Sequence, residues 1–307
     1  MNWKIKALVQ NSLSILPFGL GDSLHYRLQY SKGKLRPKSM YDTAKAFYFM
    51  DRITKHRSEV SDVTVFELGS GWALQIPLCL WLCGINKIIT VDLNRHFRPE
   101  FTHEYISYWS ENEEEFFKTA GKYAKSAVFQ ERYGLLLEGA SNPEKLMSDA
   151  GIEYRSPYDA RQTDLPTNSV DMYYSTNVLE HVPEQAIVEI LKEQNRILKS
   201  DGIAVHRVNP GDHFSFFDSS ISSVNFLKYS DFAWKLWAGN KFAYHNRLRF
   251  SDYLDLFRMA ECEPFEVLEQ AIDEKAFEEL ENNFTIHSKF KGKSNKDLAT
   301  LGFILEC

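Results

Sequence analysis

Residues Val65-Phe66-Glu67-Leu68-Gly69-Ser70-Gly71-Trp72-Ala73, followed some twenty positions later by Ile88-Ile89-Thr90-Val91-Asp92-Leu93-Asn94, decide the fold. An apolar run of strand formers meets an acidic residue, then a glycine turn, then a helical run. A second apolar run ends on an aspartate. This is the layout by which a parallel sheet holds a nucleotide-like ligand at its carboxyl edge. The glycines let backbone approach the ligand, and the aspartate accepts hydrogen bonds from two ribose hydroxyls. A dinucleotide fold wants a third glycine to seat its helix on the strand; here the register gives Gly69, Gly71 and then Leu74. Glu67 stands just before the turn, where a carboxylate repels a pyrophosphate and suits a ligand with a cationic amino group.

At this point the chain resembles the class I S-adenosylmethionine-dependent methyltransferases, whose first motif reads E/D-x-G-x-G-x-G. Ala73 replaces the last glycine. Further on, Tyr158-Asp159-Ala160, Leu165-Pro166, Ser169-Val170-Asp171 and Leu179-Glu180-His181-Val182 resemble the family's D-A-x-x-L-P…S-F-D…L-E-H-V block, with two extra residues ahead of Leu165. The resemblance spans roughly residues 60–210. It implies S-adenosyl-L-methionine as cofactor, held by Glu67, Gly69, Ser70, Gly71, Trp72, Asp92, Leu93, Asp159, Ala160 and Asn177. Asp159 is the choice for the adenine amino group, with Asp164 as the alternative.

The alternation of apolar runs predicts strands at 63–68, 87–92, 152–157, 170–175 and 202–208, then 264–270 and 298–306, with helices at 72–83, 184–199 and 273–283. The fold class that follows is α/β: a Rossmann-like, doubly wound, mostly parallel seven-stranded sheet with helical insertions. Residues 1–60 read as an N-terminal helical cover, with helical spacing from Met40 to Ile53. Residues 61–307 read as the core, interrupted by insertions at 95–151 and 210–250. The second insertion is rich in Phe, Trp and Tyr and follows the fifth strand, where acceptor pockets commonly form.

Composition narrows the class of partner. A chain of 307 residues with a formal net charge of −6 lacks the basic excess of a general nucleic-acid binder. Its four cysteines, Cys79, Cys83, Cys262 and Cys307, lack the paired spacing of a zinc site and read as reduced thiols of a cytoplasmic protein, with no metal expected. No run reaches transmembrane length. The first twenty residues carry Trp3, Ile5, Leu8, Val9, Leu13, Ile15 and Leu16 with Lys4 and Lys6. They read as a helix that packs on its own domain, with peripheral membrane contact as the other reading.

Methyl transfer from a sulfonium is an in-line displacement, so the protein must align donor and acceptor and, for a hydroxyl acceptor, remove a proton. The candidates lie after the fourth and fifth strands: His213 as base, Asp212 beside it as orienting carboxylate, and His206 in the strand as second choice. The cluster Lys241, His245, Arg247 and Arg249, set among aromatics, reads as a site for an anionic group. His206, Asp212-His213, Asn225-Phe226-Leu227 and Asn246-Arg247-Leu248-Arg249 together resemble methyltransferases encoded with bacterial surface-polysaccharide genes. That second resemblance implies O-methylation of a sugar or other small acceptor. The competing readings are a methyltransferase-like scaffold without acceptor chemistry and a nicotinamide oxidoreductase, which Glu67 and the missing third glycine oppose.

Overall fold

The computed structural model describes residues 2–31, 36–263, 265–282 and 284–307. Its strands are β1 (Thr64–Leu68), β2 (Lys87–Val91), β3 (Ile152–Arg155), β4 (Val170–Thr176), β5 (Leu198–Val208), β6 (Glu266–Ile272) and β7 (Thr300–Glu306). They form one sheet in the order β3-β2-β1-β4-β5-β7-β6. β1 pairs in parallel with β2 and β4, β2 in parallel with β3, and β6 runs antiparallel to β7. Strand order reverses between β1 and β4, so the carboxyl ends of β1, β2 and β4 flank the switch point where such sheets bind ligands.

Every residue of β1 is buried, as expected of a strand covered on both faces. Glu67 is its one charged member. The helix after the glycine turn, α4 (Gln75–Leu82), begins three residues later than the apolar run predicts. Trp72 to Leu74 are drawn into the loop instead: the Trp72 carbonyl accepts the Arg98 N–H at 3.1 Å. Proline is tolerated at Pro77 because the first helical turn has no internal partner for its missing N–H. Pro264, the expected start of the sixth strand, lies outside the described residues.

The chain divides into two compact units. One comprises Gly33–Ser175 and Glu193–Val205, and the other Met1–Lys32, Thr176–Lys192 and His206–Cys307. The first holds β1 to β3, nearly all of β4, and α3 (Tyr41–His56). α3 buries Thr43, Ala46, Phe47, Phe49, Met50 and Ile53, the spacing of a one-sided amphipathic helix. The 95–151 insertion is helical, as expected, and comprises α5 (Pro99–Glu111), α6 (Glu113–Ala120), α7 (Ala127–Gly139) and α8 (Pro143–Asp149).

In the second unit α1 (Trp3–Ser14) buries Trp3, Ala7 and Gln10. The Trp3 ring sits among Phe214, Tyr229, Trp234 and Trp237 with centroids 5.3–6.1 Å away, and its backbone N–H bonds Asp218 at 2.8 Å. The first sixty residues therefore do not act as one cover: α1 and α2 (Leu20–Ser31) belong to one unit and α3 to the other. α1, α2 and the turn between them expose Ile5, Leu8, Val9, Ile15, Phe18, Leu20, Leu24 and Leu28. Among the described residues, no helix is long and apolar enough to cross a membrane.

Candidate active site

The glycine turn is built as its sequence demands. Gly69 and Gly71 have φ of 85° and 69°, a region that side chains with a Cβ rarely adopt. The N–H groups of Gly69 and Ser70 both bond the Val91 carbonyl, which ties the turn to the end of β2. A Cβ added at Gly71 would meet nothing within 4 Å, so the turn borders open space.

Three polar side chains lie under it. The Thr90 hydroxyl bridges Glu67 and Ser70. Burial, offset only in part by the Thr90 and Tyr174 hydroxyls, pushes the Glu67 carboxyl up to about 7. Asp92 is pushed up to about 8, first by burial and then by the charge of Glu67. One of its oxygens, Oδ2, is buried without a hydrogen-bond partner among the described residues. Two buried carboxyls side by side are costly without a donor or a cation. A ribose diol and an ammonium group supply both, so the residues present fit S-adenosylmethionine. Leu93, next in the chain, is 65% exposed.

The loop after β3 is anchored to the same place. The Tyr158 N–H bonds the Asp92 carbonyl at 2.9 Å. Asp159 is held by the Arg161 guanidinium, and Asp164 by Arg155 and the Tyr158 hydroxyl. Ala160 is buried. In the second unit Asn177 turns out of β4 with φ of 56°, its N–H bonding the Arg207 carbonyl and its side chain exposed.

The expected catalytic pair is corrected. Asp212 does not orient His213: its carboxylate accepts the Phe214 N–H at 2.9 Å and the Asn225 amide at 3.4 Å, closing the loop on itself. His213 instead belongs to a cluster of imidazoles. Its ring centre lies 5.0 Å from that of His181 and 4.7 Å from that of His245. Burial pulls His213 down to about 4 and lowers His181 and His245 as well. A ring so weakly basic is a poor proton acceptor near neutral pH. His206 is fully buried, edge-on to Phe257, and belongs to the core.

The basic cluster is a structural clamp. Arg247 donates to the carbonyls of Phe226 and Tyr229 and pairs with Asp231. Arg249, fully buried, donates to the carbonyls of Pro210, Leu298 and Thr300. Asn246 bonds the carbonyls of Leu179 and Val182 through its amide, and the Glu180 carbonyl through its backbone. Lys241 pairs with Asp22 at 2.6 Å near the surface. These cations are committed to protein partners, so the expected anion site at Arg247, Arg249 and Lys241 is withdrawn. His245 alone of that group faces a pocket.

That pocket, of about 50 Å³, is lined by Lys6, Gln10, His181, His213 and His245 together with Asp212, Phe214, Trp234, Phe242 and Ala243. Sequence reasoning missed Lys6, Gln10 and Glu180, and set His181 aside. The Leu-Glu-His order was the available signal for the last two.

A family model described as a methyltransferase domain matches residues 140–206. Together with the acidic glycine turn and the strand-end aspartate, this match marks a methyltransferase domain of the S-adenosylmethionine-dependent type. None of the curated proteins matches the chain. Solved structures similar to it include the YcgJ protein of Bacillus subtilis, at 12% identity and a TM-score of 0.43, covering 85% of this chain and 97% of that one. Another is an S-adenosylmethionine-dependent methyltransferase from Mesorhizobium loti, at 14% identity and a TM-score of 0.38, covering 83% and 95%. A third is geranyl diphosphate C-methyltransferase from Streptomyces coelicolor A3(2), at 12% identity and a TM-score of 0.41, covering 86% and 78%.

Proposed function

We propose that this methyltransferase acts on a hydroxyl of a sugar or other small acceptor, with surface glycans as the candidate class. The observation that carries the reading is the pocket in the second unit. Three neutral imidazoles, Lys6 and Gln10 offer hydrogen bonds to hydroxyls, and Trp234 and Phe242 supply aromatic surface of the kind that packs on pyranose faces. Its volume admits one small group of an acceptor, not a polymer. On the cofactor side, Glu67 takes the amino group, Gly69, Ser70, Gly71 and Trp72 line the donor, and Asp92 takes the ribose. Leu93, Asp159 and Ala160 surround the adenine. Asn177, in the second unit, stays a candidate cofactor contact. When bound, the cofactor supplies a methyl group already activated by positive sulfur. The chain's residues align it and handle the acceptor proton.

The test is a set of activated and lipid-linked sugars incubated with the purified protein and S-adenosylmethionine, with mass detection of an added methyl. The His213→Ala variant, which loses one hydrogen bond to the acceptor, should lower kcat/KM for the acceptor by about tenfold while binding S-adenosylhomocysteine as tightly as the wild type. Cofactor binding with no methylated product from any hydroxyl acceptor would favour the scaffold reading. The outward apolar side chains of α1 and α2 also support a peripheral seat on a lipid surface, which vesicle co-sedimentation tests.

A further inference from the structure

We propose that Glu180, His181 and His213 form a binding site for one divalent transition-metal ion of the zinc class. Glu180 and His181 sit in the single 3₁₀ turn Leu179–His181 that follows β4, and His213 in the loop that follows β5. One ligand atom from each lies within 4.8 Å of the other two. Zinc bonded to nitrogen and carboxylate oxygen at about 2.0–2.2 Å wants its ligands roughly 3.3–3.6 Å apart. The cluster therefore closes on an ion by side-chain shifts of about an ångström.

The orientation of the rings supports this. His181 Nδ1 lies 3.0 Å from the Tyr244 carbonyl and donates to it, which leaves the Nε2 lone pair for a ligand. Metal-bound histidines are typically fixed in this way by a carbonyl behind the ring. His213 Nε2 is buried without a hydrogen-bond partner among the described residues, and so is Nε2 of the neighbouring, buried His245. Glu180 is itself steadied from behind, since its Oε1 accepts the Asn209 N–H at 3.3 Å. The clamp residue Asn246 fixes the whole turn through the Leu179, Glu180 and Val182 carbonyls.

Two imidazoles and one carboxylate leave a coordination position open, as catalytic zinc sites do. Two of the three ligands line the pocket. If the acceptor reading above is right, the contact between His213 and the acceptor runs through the ion. An ion held by Glu180, His181 and His213 would polarise an acceptor hydroxyl bound beside it, so that the O–H bond breaks more readily and the proton passes to solvent. No strongly basic side chain is needed.

The experiment uses the full chain, stripped with chelator and titrated with Co²⁺ followed by visible absorption, then with Zn²⁺ in competition. One ion per chain is expected, with a four- or five-coordinate cobalt spectrum. His213→Ala and Glu180→Gln should weaken binding by at least ~100-fold, while His103→Ala, at an exposed histidine of the other unit, should not. His213→Asn, checked for folding by circular dichroism, serves if the alanine variant does not fold. Absence of stoichiometric binding, or binding equal in the folded variants, overturns the site. The readout is independent of turnover. Failure to bind S-adenosylhomocysteine would sink the methyl-transfer reading and leave the metal result standing, whereas metal-free protein that turns over fully would remove only the ion.

Discussion

At the scale of single residues, Asp92 and Glu67 answer to two demands at once. In the free protein burial holds Asp92 at about 8 and Glu67 at about 7. Both keep protons that the unfolded chain has released above about pH 4. Unfolding then releases protons, so the contribution of these carboxyls to stability is fully present in acid and is lost as pH rises from about 4 to about 8. The cofactor reverses the preference, because a carboxylate accepts ribose hydroxyls and pairs with an ammonium better than a carboxylic acid does. Affinity for S-adenosylhomocysteine should therefore rise between pH 6 and pH 8.5, with proton release on binding. Calorimetry in two buffers of different ionisation enthalpy measures both, and a flat profile would place these carboxyls outside the site. Asp92→Asn should weaken binding at pH 8 by at least about tenfold. The same change should raise the melting temperature of the ligand-free protein at pH 8 and leave it unchanged near pH 4.

Elements decide which polar residues serve chemistry and which serve architecture. Gly71 and Gly151 share a positive φ, 69° and 67°, yet their surroundings differ. A Cβ at Gly71 enters open space beside the turn, whereas one at Gly151 would lie 2.0 Å from the Asn86 carbonyl oxygen where β3 begins. Gly71→Ala should cost chiefly cofactor affinity, and Gly151→Ala chiefly stability, by a few kcal/mol. Paired titrations and thermal melts separate the two. Arg249 makes the same point for charge. Its guanidinium holds three carbonyls from distant segments, and removing it leaves them unsatisfied at about 1–3 kcal/mol each. Arg249→Lys should destabilise nearly as much as Arg249→Met, because a single ammonium cannot reproduce the planar fork. A lysine variant as stable as wild type, with acceptor binding intact, would restore the anion-site reading. The glycine turn and Asp92 were legible because their chemistry is local: strand, turn and strand end are contiguous in sequence. The roles of Arg247 and Arg249 were hidden because their carbonyl partners lie 18 to 51 residues away. No charge pattern distinguishes a cation aimed at a ligand from one aimed at backbone.

For the molecule as a whole, the mostly parallel seven-stranded sheet followed from the alternation of apolar runs, and the helical 95–151 excursion from its alternating charged and aromatic residues. The partition of the first sixty residues did not, since a one-sided apolar helix does not say what it covers. Trp3 answers that for α1. It is 4% exposed, packs against four aromatic rings, and bonds Asp218 from the far end of the sequence. Two of those rings, Phe214 and Trp234, line the imidazole pocket, to which α1 also contributes Lys6 and Gln10. The N-terminal helix is thus part of the pocket wall. Trp3→Ala removes a large buried ring and should cost about 3–5 kcal/mol in urea unfolding. It should also raise the acceptor KM, because the rings that shape the pocket lose their backing. Cofactor affinity should hold, since the glycine turn and Asp92 belong to the other unit. Leu8→Ser, at a position 55% exposed on the outward side, should change stability by less than about 0.5 kcal/mol. If Trp3→Ala proved as mild as Leu8→Ser, α1 would be a dispensable appendage, and the pocket would have to be redrawn without Lys6 and Gln10.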